Sequence, residues 1–258
     1  MFPRKTPKSQ APDHVPYVIY HGTVGDQGKP GEMCHVISID PATKNYAIRM
    51  EKRYGNTFIP LLFEKWTLDD EVTNNVNSVF TQLTSLLDKH IEIIQQCNVV
   101  IIERQLPVNY RAVRISQHTL TYFLTRLQNK NALIVEVDSK LKGKELGAPK
   151  GLKDKQLKVW STERASQILN YRGDQESIRI LAKNKKKDDL SDTVCQIEGL
   201  FKHLKWNITE DKLVVSPNVQ EKGKGKEKEQ SVDQRDTEKE VKPKRIRKKK
   251  EPKEVKTE

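Results

Sequence analysis

Cysteine is scarce, with 3 in 258 residues. Cys34, Cys97 and Cys195 stand at wide, unrelated spacings, and the chain has no Cys-x-x-Cys. Neither a zinc site nor a disulfide framework is indicated, and a reducing, intracellular setting fits. No stretch approaches the ~18 consecutive apolar residues of a membrane span, and the N-terminus lacks the apolar core of a signal peptide. A soluble chain is expected. No internal repeat stands out. Acid is in deficit: 47 Lys and Arg face 35 Asp and Glu, giving a net charge of +12 and a pI near 9.4. Such a balance favours a polyanionic partner, most often nucleic acid. Charge alone does not separate a nuclease from a ribosomal, chromatin or membrane-surface protein.

The charge is unevenly distributed. Residues 217–258 are mostly charged, Gly, Pro, Gln or Ser, with 15 basic against 10 acidic side chains. This stretch cannot bury a core, and 211–258 is expected to be a disordered basic tail. Its densest part, "KPKRIRKKK" at 242–250, reads as a nuclear-localisation-like or nucleic-acid patch. Residues 1–32, rich in Pro and Gly, are expected to be a flexible N-terminal segment. The folded domain is then 33–210.

Inside that domain the hydrophobic period changes along the chain. Residues 34–40, 46–54 and 57–66 read as a meander of three strands. Apolar residues at helical spacing over 69–96 predict one helix. The β-branched runs "NVVIIE" (98–103) and "NALIVEVD" (131–138) suit buried parallel strands, separated by a helix over 110–129. Helices over 154–170, 175–182 and 188–204 follow. The sum is an α/β domain with a mixed five-stranded sheet flanked by helices.

Four acids acquire meaning on that scaffold. Asp40 ends the first strand and Glu103 ends the apolar fourth one. Asp189 and Asp192, spaced i,i+3, share a face of the last helix. Each has an ordinary use: a turn starter at Asp40–Pro41, an arginine partner for Glu103, an N-cap for the helix acids. If that helix docks across the sheet beside strands one and four, the four carboxylates converge in an all-oxygen cluster that repels itself unless hard cations neutralise it. Mg²⁺ or Mn²⁺ is the natural occupant.

At this point the residues resemble a known group. "SIDPATKNYAIR", "VIIERQ" and "KKDDLSD" are similar to the three acidic motifs of RuvC-type Holliday junction resolvases, nearest the branch of poxviruses and other large DNA viruses. The resemblance runs from about residue 34 to 204. It implies a ribonuclease H-like fold, a homodimer, and cleavage of four-way DNA junctions. Its catalytic and metal-holding acids fall on Asp40, Glu103, Asp189 and Asp192, with Asp188 left out. Two Mg²⁺ ions per site are implied, one activating water for in-line attack and one stabilising the departing 3′ oxygen. The extended tails and "LKGKELGAPKG" (141–151) depart from the most compact members.

Substrate grip is expected from a basic loop and helix start. Lys140, Lys142, Lys144, Lys150, Lys153 and Lys155 can neutralise phosphates without reading sequence. The resemblance favours Lys140 and Lys155 as nearest the scissile phosphate. Arg104, Arg111 and Arg114 are a second surface, and Lys185, Lys186 and Lys187 precede the acid pair. His35, His118 and His203 are weaker candidates, as proton shuttles. Two rivals use the same acids: a ribonuclease H-like nuclease on RNA–DNA hybrids or flaps, and a non-catalytic module that binds branched nucleic acid. A viral chain would act in the host cytoplasm, with the tail pointing alternatively to the nucleus.

Overall fold

The structure, a computed structural model, describes residues 16–25, 32–54, 57–68 and 76–206. The tail expected over 211–258 lies outside these residues. In chain order the described elements are β1 (Tyr17–His21), β2 (Met33–Asp40), β3 (Tyr46–Tyr54), β4 (Thr57–Trp66), α1 (Val76–Asp88), α2 (Ile91–Gln95), β5 (Val99–Glu103), α3 (Tyr110–Arg126), β6 (Leu133–Val137), α4 (Ser139–Leu146), α5 (Asp154–Tyr171), α6 (Gln175–Lys183) and α7 (Asp188–His203). They build a mixed sheet of strand order β1-β6-β5-β2-β3-β4. The β2–β3–β4 meander is antiparallel, and β5 and β6 add to β2 in parallel.

Side-chain alternation sorts each strand between two helix layers. On β2, Ile37 and Ile39 face a core shared with Leu83 and Leu87 of α1, Ile94 of α2 and Phe123 of α3. Cys34 and Val36 face the opposite core, with Leu141 of α4 and Ile197 and Leu200 of α7. Ser38 and Asp40 share the parity of Val36 and so belong to the α7 side. On β5, Val100 and Ile102 face the first core, while Val99 and Ile101 face the second. Glu103 therefore also belongs to the α7 side. The parallel register pairs Ile39 with Ile102. The next residues along, Asp40 and Glu103, thus leave the sheet side by side.

Three expectations change. Among the described residues the sheet has six strands rather than five. The sixth, β1, comes from the segment expected to be flexible, where five prolines mask the β-rich "YVIYH". It pairs antiparallel with β6 at the sheet edge, the one place where flanking prolines do not break a ladder. Just after it, Gly22 has φ +73°, and a Cβ there would lie 2.4 Å from the Ala132 carbonyl oxygen, so only glycine fits. The single helix expected over 69–96 is instead α1 and α2, broken where the His90 amide turns back to the Leu87 carbonyl. Residues 69–75 lie outside the described residues. The expected basic loop contains α4, whose first turn is capped by Asp138 accepting from the Lys140 amide.

Helix α7 is held against the sheet by an ionic cluster as well as by apolar contacts. The α7 side of β3 carries Arg49, Glu51 and Arg53, all buried. Glu51 accepts from Arg49 (2.5 Å) and from Arg53 (2.6 Å), and Arg49 also reaches Asp174 at 2.9 Å. Arg53 and Arg172 both bind Glu198 of α7. Three arginines balance three carboxylates, which is what buried charge requires.

Candidate metal centre

Three of the four expected acids meet. One carboxylate oxygen from each of Asp40, Glu103 and Asp192 lies within 4.8 Å of the others. The two strands deliver Asp40 and Glu103 by parity and register, and the second turn of α7 delivers Asp192. Asp189 is not in this group. It sits in the first turn of α7, and its Oδ2 is buried with no hydrogen-bond partner. Asp188 is engaged elsewhere, accepting from Lys158 Nζ at 2.5 Å.

Lys142 lies at the centre of the cluster. Its ammonium is 2.7 Å from Glu103 Oε2 and 2.7 Å from Asp192 Oδ2, and the residue is only 6% exposed. Burial alone would make its proton easier to lose. The charges of Glu103, Asp192 and Asp40 outweigh that and hold it firmly cationic. The backbone reason is Gly199 of α7, which lets α4 approach until a Cβ on it would stand 2.9 Å from Lys142 Cα.

Neutral side chains orient the acids. Gln196 donates to Glu103 Oε2 while its own carbonyl accepts from Ser38 Oγ at 2.9 Å. Ser161 donates to Asp192 Oδ1 at 2.5 Å. Gln105 points its amide toward Asp40 Oδ1 at 3.5 Å. Even so, burial first and Glu103 second push the Asp40 carboxyl well above the usual range, with Asp192 and Asp189 adding and Lys142 opposing. Asp189 is also raised, by burial and then by Asp188, against Lys65, Lys158 and Lys186.

The donor set fits a hard divalent cation. It offers only carboxylate oxygens, from residues on three elements, and an ammonium bridges two of them where positive charge is needed. Asp189, with its unpartnered buried oxygen, is the fourth acid within electrostatic reach of Asp40.

The other expected site residues spread over the surrounding surface. Lys140, Lys144, Lys150, Lys153 and Lys155 are exposed along α4 and the start of α5, as is Arg111. Arg104 is half-buried 3.7 Å from Glu136, and Arg114 lies over the Phe80 and Tyr110 rings. Lys187 is half-buried at the start of α7, and Lys185 and Lys186 beside it are exposed. None of the three histidines joins the acid cluster. His118 pairs with Thr84, His203 pairs with Glu145, and His35 is buried at the opposite end of β2 from Asp40. Gln196, Ser38, Ser161 and Gln105 were not anticipated. Two had a signal: Ser38 is two residues before Asp40 on a strand, and Gln196 four after Asp192 on a helix.

No protein-family model matches the chain. A curated relative, the uncharacterised protein 97L of Invertebrate iridescent virus 3, is 29% identical over 121 residues, 47% of this chain. The match spans 56% of that protein's length. Among solved structures, the yeast mitochondrial Holliday junction resolvase Ydc2 superposes with a TM-score of 0.52 at 13% identity, over 71% of this chain and 85% of that one. The chain has the fold of a Holliday junction resolvase. This is the ribonuclease H-like architecture that the sequence resemblance implies, with β2 and β5 placing Asp40 and Glu103 on the α7 side of the sheet. The fowlpox virus Holliday junction resolvase aligns at TM-score 0.44 and 19% identity, over 67% of this chain and 99% of that one. Thermus thermophilus RuvC aligns at 0.46 and 11%, over 66% and 95%.

Proposed function

We propose that this chain is a metal-dependent, structure-specific endonuclease that resolves four-way DNA junctions by hydrolysing phosphodiester bonds in pairs. The observation that carries this reading is the convergence of Asp40, Glu103 and Asp192 on a resolvase fold, with Asp189 in the preceding turn. These four acids would hold Mg²⁺, or Mn²⁺ in its place, with two ions per site as the expected stoichiometry. A divalent cation bound there supplies Lewis-acid activation of water and neutralises charge on the phosphate.

The chain's own residues do the rest. Gln196 and Ser161 fix the rotamers of Glu103 and Asp192, so the oxygens are set before a cation arrives. Lys142 offers a cationic hydrogen-bond donor at the same point. Exposed Lys140, Lys153, Lys155 and Arg111, with Arg104 and Lys187, would hold the backbone of the junction arms by charge, giving position without sequence reading. A junction presents two symmetry-related scissile sites, so a twofold homodimer matches the substrate. The basic tail would add non-specific DNA affinity or direct location.

Substrate class is tested by offering labelled four-way junction, linear duplex and RNA–DNA hybrid side by side with Mg²⁺. Preferential nicking of the junction is expected. Preferential cleavage of the hybrid would reassign the site to a ribonuclease H-like activity, and binding of the junction without cleavage would leave a scaffold protein.

A further inference from the structure

Lys142 does not behave as a surface lysine. Its ammonium takes up Glu103 Oε2 and Asp192 Oδ2, two oxygens that a divalent cation at this centre would need. Mg²⁺ approaches carboxylate oxygens to ~2.0–2.1 Å and demands a regular octahedron, and like charge repels it from an ammonium held on the same atoms. The two cations therefore exclude each other. The root of the side chain cannot yield, because the α4 backbone at Lys142 is pressed against Gly199, where an added Cβ would stand 2.9 Å from Lys142 Cα. Only the four-carbon stem can move, and it carries the ammonium as a unit. Once displaced, the ammonium loses two carboxylate partners and requires another anion within the length of that stem.

We infer that Lys142 is an exchangeable counter-ion that couples metal loading to DNA binding. Without DNA the ammonium neutralises Glu103 and Asp192 and keeps cation affinity low. With DNA, a backbone phosphate at the mouth of the cluster takes the ammonium, and the freed carboxylates accept the metal. Linkage makes the effect reciprocal: the metal tightens DNA binding by the same factor as DNA tightens metal binding. The device keeps the hydrolytic centre unloaded until a phosphodiester backbone is present. This inference rests on the proposed function for the identity of the anion, whereas the ammonium–metal exclusion rests on geometry alone.

The test uses the full chain and Ca²⁺, a hard cation with the same preference for oxygen. Ca²⁺ is titrated calorimetrically without DNA and with an equimolar four-way junction, whose integrity is checked on a denaturing gel. Without DNA, Lys142→Met is expected to bind Ca²⁺ about tenfold or more tightly than the unmodified chain, and Lys142→Gln to do the same. The junction is expected to tighten Ca²⁺ binding to the unmodified chain by about tenfold, within the usual range of couplings, and to either variant by less than about twofold. A thermal melt by circular dichroism verifies that each variant is folded. The inference is overturned if folded variants bind Ca²⁺ no more tightly than the unmodified chain. It is equally overturned if the junction's effect is absent from the unmodified chain or undiminished in the variants. The DNA-free titration reads neither cleavage nor junction binding, so failure of the proposed function would leave that half of the result intact.

Discussion

The acids at the centre are held by neutral side chains whose loss can be measured separately. Gln196 bridges Ser38 and Glu103 and is itself buried. Replacing it with alanine removes the donor that sets the Glu103 rotamer but leaves every acid in place. Such supporting contacts are usually worth about 10–100-fold in metal affinity or activity. Gln196→Ala is therefore expected to lower Mg²⁺ affinity within that range, read by titration, and higher Mg²⁺ is expected to recover most of the lost cleavage. A loss that excess Mg²⁺ cannot restore would contradict a positioning role. At this scale the sequence was legible where polarity conflicted with setting: Asp40 and Glu103 stand out because each terminates an apolar strand. Lys142 was not legible, because in a lysine-rich stretch nothing distinguishes one lysine from its solvated neighbours until α4 is docked on α7.

Among the elements, α7 carries the greatest load, since it supplies Asp189, Asp192 and Gln196 on one side and Glu198 to the ionic cluster. That cluster gives a pH prediction. Burial alone would raise the Glu51 carboxyl, but Arg53, Arg49 and Arg172 outweigh it and hold it far below the usual range. A carboxyl lowered by folding contributes stability that is complete above its unfolded value, ~4.3 for glutamate, and lost as the pH falls from there toward the folded value. Removing one partner of a buried pair costs about 3–5 kcal/mol. Glu51→Gln is expected to cost about that much at pH 7. The gap to the unmodified chain should narrow below pH ~4, because the unfolded chain's carboxyl takes up a proton there while the folded one stays ionised. Urea denaturation at a series of pH values measures it, and a gap that is constant with pH would contradict the assignment. The β2–β3–β4 meander, β5, α3 and β6 were legible from periodicity, because their apolar residues recur at 2 or 3.6. Helix α4 was not, because Gly143 and its three lysines, Lys140, Lys142 and Lys144, read as a loop, and its stability comes from Asp138 and from packing on α7.

For the whole molecule, the α/β class with a mixed sheet was readable from the order of strands and helices, and the ribonuclease H-like fold from the resemblance carried by the three acidic motifs. The sixth strand was not, because β1 gains its stability from pairing with β6, more than a hundred residues later, rather than from its own sequence. The twofold symmetry of a junction makes the oligomer a direct prediction: light scattering during size exclusion should give twice the chain mass of 29.8 kDa. A monomer that still cuts both strands of a junction would contradict the paired-site reading. With a net charge of +12, junction affinity should fall steeply with salt. The measurement that reaches the central claim most directly is cleavage of a four-way junction, end-labelled on each strand in turn and resolved on a denaturing gel. Symmetric nicks in two opposing strands are expected with Mg²⁺, and none with EDTA or with Asp40→Asn, Glu103→Gln or Asp192→Asn, each of which should still bind the junction. A junction bound but uncut by the unmodified chain in Mg²⁺ and Mn²⁺ alike, or cut equally by the three variants, would contradict it.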